Sequence, residues 1–166
     1  MIRKLERYAP PGYELKTELR YILYISVASF LVSFMFFLRF REAYNLLFDF
    51  ENGVKVLLPN AQMPDFETLI KGAFSSFQAL SLWISYYIWY HYRYFKVETK
   101  SVYLMLRLPN RFEYHMRCWA IPLAFILLSY LAIILLKVVY FTYYLNMIPL
   151  TAWPPGQSMN LWSVIL

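Results

Sequence analysis

Cysteine occurs once in this sequence and glycine four times, so an internal disulfide and a collagen-like repeat are both excluded. Charge is also scarce, at 16% of residues, and it is absent as Asp or Glu from the second and third of three long apolar runs. No Ser-His-Asp set, His cluster or pair of carboxylates within such a run is present, which argues against a proton-coupled carrier and against catalysis by this chain. The Gly-x-x-x-x-Gly-Lys-Ser/Thr loop is missing too, so ATP hydrolysis of that type would have to lie on another chain. His91 and His115 have no Cys or carboxylate at ligand spacing, and no metal site is expected. The aromatic run YYIWYHYRYF offers no axial-ligand pattern, so no haem, quinone or other cofactor is expected either. An aromatic belt with helix packing accounts for it.

What the sequence has in quantity is apolar side chains, 60% of 166 residues with 21% aromatic, collected into blocks rather than spread at strand or helix period. That pattern implies an all-α, polytopic membrane protein. The first block, residues 21–38, carries no charge and is closed by Arg20 and Arg39; its 18 residues rise about 27 Å as a helix, close to the thickness of a hydrocarbon core. Twenty residues precede it and no small-x-small cleavage site follows, so it reads as a retained anchor. The second, residues 74–90, is the most polar, with Ser75, Ser76, Gln78, Ser81 and Ser85, side chains that in lipid are expected to face another helix. The third, residues 118–144, is the strongest and is interrupted only by Lys137.

Basic residues set the expected direction. Residues 1–20 hold five Lys/Arg and residues 91–117 hold six, whereas residues 39–73 balance four against five acids and the tail 145–166 has no charge. The N-terminus and the 91–117 segment are therefore expected in the cytoplasm and the other two outside. The net charge of +6 is absorbed by topology, so nucleic acid is not an expected partner.

The connecting segments have readings of their own. Residues 13–20 fit either a short helix lying at the interface or an extension of the first span. Within residues 39–73, Asn52-Gly53 is a hairpin signal, while a helix continued to Phe50, a break at Gly53 and Pro59, and a helix over 64–71 is the slightly favoured alternative. Pro149, Pro154 and Pro155 stop the third helix, and Trp153 and Trp162 suit an interface. Between spans two and three, residues 98–107 suit a short helix ended by Leu108-Pro109. Asn110 and Glu113 form a capping-box pair predicting a second helix from Arg111 into span three. Tyr103, Leu104, Leu106 and Leu108 are more apolar than a free loop needs.

The order Glu98, Ser101, Leu104, Leu106, Arg107, Leu108, Pro109, Asn110, Arg111 resembles the cytoplasmic loop of ABC-2 type exporter permeases. It is also similar to small three-span membrane proteins of Gram-positive bacteria encoded near ABC exporters, which share an RLP-x-R segment and a Pro-Gly-Gln tail, here Pro155, Gly156 and Gln157. The resemblance implies that Glu98, Ser101, Tyr103, Leu106, Arg107, Pro109 and Arg111 dock an ATP-binding subunit. It also implies a non-catalytic exporter subunit in the cell membrane, working as an oligomer or beside another membrane subunit, since such permeases carry six spans per half. The other reading of the same arginines is contact with anionic membrane lipid, in a scaffold or regulatory protein without a transport role. Gln78 is expected to face a partner helix. Lys137 either snorkels to the interface or pairs with Asp65 or Glu67, and Cys118 is either an inert thiol or an acylation site.

Overall fold

The computed structural model describes residues 15–51, 54–58, 61–97 and 111–154. In chain order these form α1 (Leu15–Ser33), α2 (Met35–Asn45), β1 (Phe48–Glu51), β2 (Val54–Leu57), α3 (Phe66–Ile70), α4 (Ser75–Val97), α5 (Arg111–Met147) and a 3-10 turn, Leu150–Ala152. The protein is thus mostly helical. Two stretches are long and apolar enough to cross a membrane: Leu15–Asn45, 31 residues with mean hydropathy 2.1, and His115–Met147, 33 residues with mean hydropathy 2.5. Only 22% and 17% of their most apolar windows are buried within the chain, whereas the core helix of a soluble protein is mostly buried. α4 is long enough at 23 residues but less apolar, because serines and Gln78 dilute its run.

Neither Gly nor Pro occurs between Leu15 and Asn45, so nothing in the sequence ends the helix at the start of the apolar block. Residues 15–20 accordingly belong to α1 and continue into the first apolar run instead of lying as a separate helix. Buried Leu15, Glu18, Ile22, Ser29 and Ser33 recur at three-, four- and seven-residue steps and mark its inner stripe. α5 likewise extends beyond its apolar block at both ends and starts at Arg111 as the spacing predicts. Met147 ends it, two residues before Pro149.

The described residues fall into two compact units: residues up to Ser29 with Phe77–Leu131, and Phe30–Ser76 with residues from Ala132 onward. In the second unit, aromatic rings form the core. Phe36 lies flat on Tyr140 at 4.7 Å between ring centroids, and Phe66 meets Phe36, Phe141 and Tyr144 edge-on, an arrangement that the ring quadrupole favours. Tyr144 donates through its hydroxyl to the Pro64 carbonyl at 3.0 Å, and the Met63 N–H donates to the Ala152 carbonyl at 3.0 Å, fastening the connecting segment to the chain beyond α5.

That connection combines both sequence readings. The helix runs to Asn45, not Phe50, and an antiparallel hairpin follows, with Phe48 opposite Leu57 and Glu51 opposite Val54. The helical alternative is therefore corrected over residues 48–57. Alternating Phe48, Phe50, Val54 and Val56 favours extended pairing, which overrides the pull of the preceding helix. The later helix, α3, is shorter than expected, at Phe66–Ile70, and Gly72 takes a positive φ of 80° in the turn into α4.

Between α1 and α2, Phe34 bonds to Leu31 and Phe37 bonds to Phe34, the tighter i to i+3 pattern. Ser33 sits at this turn. Its hydroxyl donates to the Phe30 carbonyl at 2.6 Å and pairs with the Tyr140 hydroxyl at 2.8 Å in a buried setting. Exchange of Ser33 for Ala leaves Tyr140 short of that partner and is expected to lower stability by about 1 kcal/mol. Thermal unfolding in detergent measures the loss.

Candidate functional site

The first unit contains a chain of polar contacts that begins with a proline. Pro122 lies inside α5 and has no N–H, so the carbonyl four residues earlier, that of Cys118, loses its intrahelical donor. Away from water such a carbonyl needs another partner. His91 of α4 supplies it, with Nδ1 at 3.2 Å from the Cys118 oxygen. A carbonyl only accepts, so Nδ1 carries the proton and the tautomer is set. The opposite ring nitrogen, Nε2, lies 3.1 Å from Oε2 of Glu18 on α1. One proton is shared along that contact, held either as imidazolium with carboxylate or as imidazole with carboxylic acid. Both states are neutral as a pair, and only a pair of this kind is tolerable where the two side chains are 0% and 1% exposed.

Helical period places each member. His91 follows Phe77, Leu80 and Ile84 on the buried stripe of α4, and Glu18 falls between Leu15 and Ile22 on that of α1. Leu15 packs on Ile121 beside the Pro122 position. At the next position on each helix, Trp119 donates its indole N–H to the Tyr92 hydroxyl at 2.8 Å, and Tyr92 pairs with Nδ1 of His115 at 2.7 Å. The last turns of α4 therefore lie against the first turns of α5, with the start of α1 joined to them through Glu18.

Next to the pair is a cleft of about 310 Å³ lined by Thr17, Glu18, Tyr21, Trp83, Tyr86, Tyr87 and Tyr90. The four α4 residues stand three and four positions apart and so share one face. Trp83 and Tyr87 meet edge-on at 4.7 Å. Glu18 has one oxygen engaged by His91; the other, Oε1, is buried and has no hydrogen-bond partner among the described residues. The arrangement can share a proton between Glu18 and His91 and can accept a donor at Oε1. With both ring nitrogens engaged, His91 as placed does not activate a nucleophile. Among the described residues there is no group of three His, Cys, Asp or Glu that could hold a metal ion.

The residues named from the sequence fare differently. Glu98, Ser101, Tyr103, Leu106, Arg107 and Pro109 lie outside the described residues, as does Asn110. Arg111 opens α5. Glu113 forms an ion pair with Arg117 at 2.6 Å, one turn along the same helix. Gln78 is exposed on α4, and Lys137 is half-buried on α5. Of the serines expected to face another helix, Ser81 is buried on the inner stripe of α4 with its hydroxyl bonded to the Phe77 carbonyl at 3.0 Å, while Ser85 is exposed and bonds to the Ser81 carbonyl at 2.8 Å. Cys118 is fully buried, which removes the access that acylation requires.

In the sequence His91 has no carboxylate at ligand spacing, and its partner Glu18 is 73 positions away. The available signal was Pro122: a proline deep in an apolar helix announces an unfilled carbonyl at position 118, and His91 is the donor that the neighbouring helix offers. Comparison of the chain with protein-family models, with curated proteins and with solved structures finds no match.

Proposed function

We propose that this chain is a three-span protein of the cell membrane, with its N-terminus in the cytoplasm and its C-terminus outside, acting as a non-catalytic membrane subunit of an ABC-type exporter. The observation that carries this reading is the Glu98–Arg111 segment, with its Leu-Pro-x-Arg order, joining α4 to α5. Two long apolar helices, a third helix of adequate length and the uneven distribution of Lys and Arg support the spans and their direction. The clamp of Glu18, His91 and the Cys118 carbonyl supports a coupling role. It ties all three long helices together at the end where residues 98–110 connect two of them, so force applied to that segment by an ATP-binding subunit reaches the whole first unit. Exposed Gln78 suits contact with a further membrane subunit or a second copy, because an amide side chain in lipid gains from a partner helix.

The test is site-specific photocrosslinking from Tyr103 or Leu106 in native cells. The expected product is an adduct with an ATP-binding subunit. Adducts with lipid or with the chain itself alone contradict the docking role. A second reading, a scaffold or regulatory protein, is favoured by the hairpin, whose Val54, Val56 and Leu58 are exposed. Crosslinks from Val56 to an external protein, with none from Tyr103, would favour it.

A further inference from the structure

The cleft beside the Glu18–His91 pair has the chemistry of a cation site. We propose that it binds a primary alkylammonium group, free or carried on a lipid headgroup, with its N–H donating to Glu18 Oε1 and its carbons against Tyr21, Trp83, Tyr86, Tyr87 and Tyr90. Three observations carry this. Glu18 is 2% exposed and lines the cleft, yet its Oε1 has no partner among the described residues, and a buried carboxylate oxygen of this kind calls for a donor. The wall around it is almost wholly aromatic, and electron-rich ring faces attract cations. At about 310 Å³ the cleft is at the small end of ligand sites, suited to a short amine and not to a large cofactor.

The demand for a donor at Oε1 selects the type of cation. A quaternary ammonium has no N–H and leaves Oε1 unfilled, whereas a primary ammonium fills it and still presents its charge to the rings. With Nε2 of His91 engaged at Oε2, Oε1 is the oxygen left to take the ligand. The level in the chain fits an amine at a membrane surface: Lys16, Glu18 and Arg20 give way to the apolar run at Tyr21, and Tyr90 is followed at once by His91 and Arg93. The site requires no ATP-binding subunit and stands apart from the exporter reading.

The experiment titrates the purified full-length protein in dodecyl maltoside with butylammonium and, separately, tetramethylammonium by calorimetry. Saturable butylammonium binding is expected, at least tenfold tighter than tetramethylammonium. Glu18→Gln is expected to weaken it about tenfold, since the amide keeps a contact to His91 but lacks the charge. Tyr86→Leu, at an exposed position on the cleft wall, is expected to cost about three- to tenfold and serves if Glu18→Gln does not fold. Nanodiscs then distinguish the source. Competition of butylammonium by phosphatidylethanolamine, against phosphatidylcholine as control, assigns a lipid headgroup, and undiminished binding in both assigns a free amine. Absence of saturable binding, equal binding of tetramethylammonium, or unchanged affinity in both variants overturns the proposal and leaves Oε1 to water.

Discussion

His91→Leu is expected to destabilise the protein by about 3–5 kcal/mol, far more than loss of an ordinary contact between membrane helices. Such hydrogen bonds average about 0.6 kcal/mol, because the separated helices find other partners. Here the loss is larger because one side chain serves two groups that have no substitute. Without His91, the Glu18 carboxylate is left buried without a counter-charge, and the Cys118 carbonyl, already deprived of a donor by Pro122, is left bare. Two further variants separate these terms. Combining His91→Leu with Glu18→Met removes the uncompensated charge and is expected to recover more than half of the loss. Combining it with Pro122→Ala returns a helical N–H to the Cys118 carbonyl and is expected to recover about 1 kcal/mol. Thermal unfolding in detergent reads all three. Equal stability of the single variant and the Glu18 double variant would show that the pair is not buried as described.

The largest functional effect is expected from charge reversal at Arg107 and Arg111. If these two arginines meet carboxylates of a partner, as the proposed docking requires, reversing both charges replaces attraction with repulsion. On the proposed exporter reading, association with an ATP-binding subunit is expected to fall by at least a hundredfold in co-purification. Retained association would locate docking elsewhere on the chain. If the arginines serve only lipid headgroups, the double reversal lowers affinity for anionic vesicles and leaves co-purification unchanged.

The long helices were legible in the sequence because long apolar blocks, free of Gly and broken by Pro at position 122 alone, leave a helix as the only way to satisfy the backbone in lipid. Arg111 as the start of α5 and Pro149 as its limit were legible for the same local reason. The hairpin was visible as a signal at Asn52-Gly53 but was set second to a helix, since a short two-stranded ribbon is marginal alone and gains from fixed surroundings that the sequence does not display. Leu58 bonds back to Leu47 at 2.9 Å and Tyr144 fastens Pro64, contacts across 11 and 80 residues. The Glu18–His91 pair was illegible for a related reason. Its members are ordinary in their own segments, a charged residue among charges and a histidine among tyrosines, and they become a site only where the buried stripes of α1 and α4 meet.

Affinity purification of the tagged protein from its native membrane in mild detergent, with mass spectrometry of what remains bound, tests the central claim most directly. The account predicts a stoichiometric ATP-binding subunit. Recovery of the chain alone, or only with further copies of itself, would contradict it.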